Sequence, residues 1–260
     1  MIVTLTSDFG LQDSYVGIVK GIIKTISPQV ELIDLTHNIP PQNIYATSFI
    51  LENAIDYFPR DTIHLTIVDP TVGSNRKIIA VVSEQGYFIC PNNGLLTGVL
   101  NRYRAEQAYS LNNNNYWLNQ QISNTFHGRD IFAPVTAHLA NGIALDELGE
   151  EIPVEDLVLL DLPNFCKDKN RIRGIIQYVD IFGNLVTNIP AKLVKNRSWC
   201  ICIEEEELII ESVTTYSDVQ KSQLVSLIGS HGYVEVAVNG GSAKMTLDKS
   251  YGDVIEVKIK

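Results

Sequence analysis

Apolar positions in the first half of the chain follow two alternating rhythms. Ile2-Val3-Thr4-Leu5 is strand-like, and residues 14–26 carry Val16, Val19, Ile22, Ile23 and Ile26 at helical spacing, with Pro28 just beyond. Residues 30–35 predict a second strand, 43–57 a second helix and 62–68 a third strand. That βαβαβ order implies a largely parallel sheet covered by helices. Residues 78–82 and 87–90, separated by Glu84-Gln85-Gly86, predict a hairpin added to the sheet, and Asn92-Asn93-Gly94 opens a short helix through Leu100. The Asn-rich residues 112–121 predict a surface loop. Residues 130–141 return to helical spacing, with Pro134 in the first turn and Gly142 at the end.

Residues 163–170 are polar and break this rhythm, and nothing after them has a long helical period. The predicted division is an N-terminal α/β domain over 1–163 and a β-rich domain over 171–260. In the second domain, residues 172–179, 185–189, 199–203, 208–213, 224–228, 233–238 and 254–259 are short alternating runs between turns. They predict a small antiparallel barrel or sandwich. Glu204 to Glu207 fit a solvated hairpin tip, or four carboxylates able to bind a divalent cation.

The 260 residues, 45% hydrophobic and 19% charged, suffice for a full core. A net charge of −10 argues against a nucleic-acid partner, which needs a basic face, and favours a cationic small molecule. No leader precedes the first strand and no apolar run reaches the ~20 residues of a membrane span, so the expected setting is the cytoplasm without a membrane partner. Cys90, Cys166, Cys200 and Cys202 include no Cys-x-x-Cys, so neither a zinc site nor a disulfide framework is signalled. Cys200 and Cys202 should share one face of a strand.

Candidate chemistry gathers where elements begin and end. Asp69 follows the third strand, Pro70 forbids a further ladder donor, Gly73 permits a return, and Arg76 supplies the opposite charge. Strand carboxyl ends are where open α/β sheets bind ligands, although an isolated pair of this kind is more often a turn with a surface ion pair. Thr6-Ser7-Asp8-Phe9-Gly10 ends the first strand, where Asp8 suits a ribose diol; Asp13 reads as a helix cap. In Thr125-Phe126-His127-Gly128-Arg129-Asp130, His127 is placed at a loop-to-helix junction to be exposed and to titrate, and Asp130 to cap the next helix. Asp180-Ile181-Phe182-Gly183-Asn184 offers an amide for an adenine edge and a ring to stack on a base, and Ser230-His231-Gly232-Tyr233-Val234-Glu235 is a second polar turn. An ordinary turn accounts equally for either.

Together these pieces suit a nucleoside site. Thr6-Ser7-Asp8-Phe9-Gly10, Val68-Asp69-Pro70-Thr71-Val72-Gly73, Pro91-Asn92-Asn93-Gly94-Leu95-Leu96, Phe126-His127-Gly128-Arg129-Asp130 and Phe182-Gly183-Asn184-Leu185-Val186-Thr187-Asn188 resemble the motifs of the S-adenosyl-L-methionine (SAM) hydroxide adenosyltransferases, relatives of the fluorinases and chlorinases. The resemblance runs in order from Asp8 to about Asn239. It implies an α/β domain followed by a β-barrel, a homotrimer with active sites between subunits, and hydrolysis of SAM to adenosine and methionine without metal or cofactor. It maps the catalytic set onto Asp69, Arg76 and His127, the ribose carboxylate onto Asp8 and the adenine amide onto Asn184, beside Phe182. Methionine-end contacts fall on Asp180, Ser230, His231, Glu235 and Val238, with His231 standing where the halogenases carry arginine. Those relatives typically have Tyr at the Asp69 position and Tyr-Ser at His127-Gly128, so this chain resembles the hydroxide branch. Two other readings stay open: a metal-dependent hydrolase using Asp8, His37, Asp69, His127 and Asp130, and a non-enzymatic sensor of SAM or adenosine.

Overall fold

The computed structural model describes residues 1–203 and 208–260, so the Glu204 to Glu207 tip lies outside the described residues. The chain divides into two compact units, Met1–Leu160 and Asp161–Lys260.

In the first unit the strands are β1 (Ile2–Ser7), β2 (Glu31–Thr36), β3 (Ile63–Ile67), β4 (Ile78–Ser83), β5 (Gly86–Pro91), β6 (Ala105–Ser110) and β7 (Glu150–Ile152). The helices are α1 (Tyr15–Ile26), α2 (Ile44–Ala54), α3 (Thr97–Arg102), α4 (Ala133–Ala140) and α5 (Leu145–Leu148). The sheet order is β2-β1-β3-β5-β4-β6-β7. β1 pairs in parallel with β2 and β3, and β3 with β5, while the β4–β5, β4–β6 and β6–β7 pairs are antiparallel. The parallel part is the predicted βαβαβ unit. The last two strands of the sheet, β6 and the edge strand β7, were not visible in the sequence: β6 alternates weakly as Ala-Glu-Gln-Ala-Tyr-Ser, and three residues of β7 are too few to show a period. Both sheet faces are covered. Val3, Leu5, Ile63, Leu65 and Ile67 pack with Val19 and Ile23 of α1 and Val135 and Leu139 of α4, and Val81, Phe88 and Val99 build a second cluster.

Asn43 caps α2 by accepting the Ala46 N–H at 2.9 Å. Asp13 does not cap α1: Ser14 occupies that position, without a side-chain bond. Just before α4, Gly128–Phe132 form a π-helical turn, an irregularity often found where a side chain must be aimed.

In the second unit, β9 (Arg171–Val179), β10 (Leu185–Pro190), β11 (Trp199–Ile203), β12 (Leu208–Glu211), β13 (Leu224–Ile228), β14 (Tyr233–Val238) and β15 (Val254–Ile259) run antiparallel in the order β12-β11-β15-β9-β10-β14-β13. β8 (Cys166–Asp168) pairs with β9, and α6 (Ala243–Leu247) follows β14. The two edges approach closure. Val213 N–H donates to Ser226 O at 2.8 Å and Ser226 Oγ to Ile210 O at 3.1 Å. This is a nearly closed barrel rather than a sandwich, filled by Ile172, Ile176, Leu185, Trp199, Ile201, Val234, Val236 and Val257. Cys200 and Cys202 alternate with Trp199 and Ile201 on β11, which puts the two thiols together on one face. Among the described residues, no helix is long and apolar enough to cross a membrane.

Candidate active site

Asp69 lies two residues past β3, on a loop that Gly73 folds back at φ +81°. A Cβ on Gly73 would come within 2.4 Å of Asn124 O, so the return packs directly on the segment leading to His127. Arg76 then reaches back. Its Nε donates to Asp69 Oδ2 at 2.8 Å and its Nη2 donates to the same oxygen. That Nη2 also lies 2.8 Å from His127 Nδ1. Phe132 covers the guanidinium at 5.8 Å from its ring centroid.

The identity of the donor fixes the histidine's tautomer. A guanidinium nitrogen only donates, so Nδ1 of His127 accepts and a neutral ring carries its proton on Nε2. Burial, then the Arg76 charge, lower the His127 pKa, and this form persists below the usual histidine range. His127 is buried at 7% exposure, a correction to the exposed residue expected from its loop. The π turn folds the loop inward instead.

Asp8, Asp69 and His127 line one cleft of about 220 Å³, together with Phe9, Gln42, Phe126 and Gly128. Asp8 Oδ2 accepts the Gln42 N–H at 2.8 Å. Arg76 braces the cleft from behind. The rings of Phe9, Tyr15 and Phe126 pack mutually at 5.1 to 6.0 Å between centroids. A Cβ on Gly128 would lie 3.1 Å from Phe126 and 3.3 Å from Phe9.

The second unit holds two polar groups. Asp180 Oδ1 accepts the Phe182 and Asn184 N–H groups at 2.9 Å each, and its Oδ2 accepts Asn184 Nδ2 at 2.8 Å. Asn184 is buried, and with its amino group committed its carbonyl oxygen is left to accept. Phe182 stands out at 72% exposure. In the other group, buried Glu235 accepts Tyr216 O–H at 2.8 Å and faces His231 Nε2 at 3.0 Å. His231 Nδ1 accepts the Tyr233 N–H at 3.2 Å. Ser230 is exposed at the turn, whereas Val238 packs its side chain into the barrel core. Burial, then the Glu235 contact, raise the Tyr216 pKa, and Asp180 adds to the rise electrostatically, which links the two groups.

Residues 3–149 match the SAM hydroxide adenosyltransferase N-terminal domain and residues 174–256 its C-terminal domain. The chain belongs to this family. An (R)-S-adenosyl-L-methionine hydrolase of Salinispora tropica is 34% identical over 98% of this chain and 97% of its own. A fluorinase of Nocardia brasiliensis is 24% identical over 99% and 97%. The solved structure of an uncharacterized conserved protein from Thermotoga maritima superposes with a TM-score of 0.91 at 35% identity, covering 99% of this chain and 100% of that one.

Other residues singled out for chemistry have different partners. Asp130 does not cap α4: it sits inside the π turn, buried, accepting the Ser123 N–H at 2.7 Å and Arg129 Nε at 2.6 Å. Burial pushes its pKa up, but these donors outweigh that and hold it low. His37 turns to Ser7 rather than into the cleft. Among the described residues no group of three His, Cys, Asp or Glu could hold a metal ion. Tyr216 and Gln42 were missed, since a lone tyrosine or glutamine in a loop carries no pattern to read.

Proposed function

We propose that this protein hydrolyses SAM at ribose C5′, giving adenosine and methionine. The observation that carries the reading is the contact of Asp69, Arg76 and His127 at a cleft that Asp8 also lines, in a chain of this family. Asp8 takes the ribose hydroxyls. Water enters beside Asp69 and His127 and attacks C5′ from the side opposite sulfur; the C–O bond forms as the C–S bond breaks, and its electron pair returns to sulfur as a neutral thioether. The water's proton passes through Asp69 to solvent. No electron carrier or cofactor is needed for this balance.

The charges explain the design. Hydroxide character meeting a sulfonium annihilates charge, so a cleft walled by Phe9, Val72 and Phe126 favours the transition state over the separated ions. Arg76 lends positive potential to the developing hydroxide while its bonds keep Asp69 and His127 aimed at the same water. Asn184 O accepts the adenine amino group, Phe182 stacks, and Asp180, Ser230, His231, Glu235 and the backbone near Val238 receive the methionine end.

Gly128 favours hydrolysis over halide transfer. The Cβ of a serine there would press against Phe9 and Phe126, so those rings would have to shift to admit a halide-binding hydroxyl. The reading includes a homotrimer in which the N-terminal unit of one subunit and the C-terminal unit of a neighbour complete each site; the family resemblance supports it. Four cysteines outside any disulfide fit a reducing cytoplasm.

Incubation of the purified protein with SAM, followed by chromatography, tests the reaction. Adenosine and methionine should form in equal amounts, with no chlorinated nucleoside at high chloride and no loss of rate after exhaustive chelation. A chlorinated nucleoside as main product overturns the hydrolytic assignment; a chelator-sensitive rate restored by zinc or manganese favours the metallohydrolase.

A further inference from the structure

Behind the Asp8 loop, side chains from β1, α1 and the end of β2 form a chain of polar contacts. Ser7 Oγ lies 2.7 Å from His37 Nδ1, His37 Nε2 lies 3.1 Å from Asp34 Oδ1, and Lys20 Nζ donates to Asp34 Oδ2 at 2.6 Å. The Nε2–Oδ1 approach is off the N–H direction, which makes it an electrostatic contact rather than an aligned hydrogen bond. Ser7 and His37 are 2% and 6% exposed. Neither lines the Asp8 cleft; both face a small, mostly apolar pocket of about 10 Å³ that shares Phe9 and Ile67 with that cleft.

The chain has a direction. A carboxylate only accepts, so Asp34 favours the proton on His37 Nε2; Nδ1 then accepts, and the Ser7 hydroxyl donates to it. This leaves the Ser7 oxygen lone pairs for the Phe9 N–H, which donates at 3.3 Å. That bond spans Ser7 to Phe9 and closes a turn with Asp8 at its centre. The His37 backbone stitches the same loop, its carbonyl accepting Gly10 N–H at 2.8 Å, while Ile39 N–H reaches Ser7 O at 3.4 Å. Three residues beyond Ile39, Gln42 N–H holds the Asp8 carboxylate itself.

We propose that His37, held by Asp34 and acting through Ser7, is a positioning residue that sets the Asp8 carboxylate for the substrate's ribose hydroxyls. This rests on the reading of Asp8 as the ribose contact. His37 touches no reacting atom, so its removal weakens nucleoside binding and leaves the chemical step nearly intact.

Adenosine binding by calorimetry and SAM kinetics in full-length variants test the proposal. His37→Phe and Ser7→Ala should each raise the adenosine Kd and the KM by about tenfold, as the loss of one oriented hydrogen bond implies, with kcat within about threefold. His37→Asn, whose amide oxygen can occupy the Nδ1 position, should recover most of the affinity. In an Asp8→Asn background, already weak, His37→Phe should add no further loss, because the coupled residues share one effect. Ser7→Ala keeps the test decisive if His37→Phe fails to fold. A loss that multiplies in full upon the Asp8→Asn loss, or binding unchanged in Ser7→Ala while Asp8→Asn binds weakly, overturns the relay alone. Unchanged adenosine binding in Asp8→Asn overturns the ribose role of Asp8, and the relay with it.

Discussion

Arg76 commits two nitrogens to its neighbours, and this orders the candidate site more than any other single contact. Its donors meet Asp69 Oδ2 and His127 Nδ1, so protonation of that imidazole nitrogen would set one donor against another and place two cations in contact. Because burial and Arg76 lower the His127 pKa, kcat/KM should stay level as pH falls to about 6.5, the ordinary histidine value, and decline only below it. His127→Asn keeps an acceptor for Arg76 and cannot titrate; it should lose about 10- to 100-fold in kcat and show no such decline from this group. A decline beginning above 6.5, or one unchanged in His127→Asn, would remove histidine from that role. The sequence exposed Asp69 and Arg76 because Pro70 and Gly73 mark a strand end and a return between them. It misjudged Asp13 and Asp130, since capping is a local rule: Ser14 takes one position, and Ser123 with Arg129 draws the other carboxylate into the π turn.

At the level of elements, legibility followed period. The seven runs after residue 170 all became barrel strands because each is long enough for its apolar pattern to show, whereas the three-residue β7 and β8 had no length in which to alternate. β3 is buried on both faces, which places His64 inside the sheet. Its Nδ1 meets Thr4 Oγ1 at 2.9 Å and its ring stacks on Phe88, while Nε2 has no aligned partner although the Gln85 backbone offsets part of the burial effect. Burial lowers its pKa to about 4 from 6.5. The unfolded chain therefore binds this proton more tightly: the stability contribution is present above pH 6.5 and is lost as pH falls toward 4. Linkage puts the His64 share of the loss between pH 7 and about 4.5 at roughly 2 kcal/mol. Urea unfolding at both pH values should show His64→Gln losing less than the parent by about that amount. Equal losses in the two proteins would show that His64 is protonated as easily folded as unfolded.

The whole molecule sets a division of labour, with Asp69, Arg76 and His127 in the unit ending at Leu160 and Asn184 and Ser230 in the unit after it. Under the proposed homotrimer, Arg76→Ala removes a transition-state contact and should lower kcat by about 10²-fold or more, whereas Asn184→Ala weakens base recognition and should mainly raise KM. Neither variant alone contains an intact site. In a ring of subunits each interface joins unlike faces, so one interface of a mixed trimer can pair the N-terminal face of an Asn184→Ala subunit with the C-terminal face of an Arg76→Ala subunit. Both faces of that site are wild type. Co-expression, or mixing with subunit exchange verified by differently tagged chains, should therefore raise activity above either parent. In a site built within one chain every copy keeps its own lesion, and exchange changes nothing. Verified exchange without recovered activity would place Arg76 and Asn184 of one subunit at the same site and overturn the inter-subunit arrangement, leaving the assignment of Arg76 and Asn184 to be judged by the single variants.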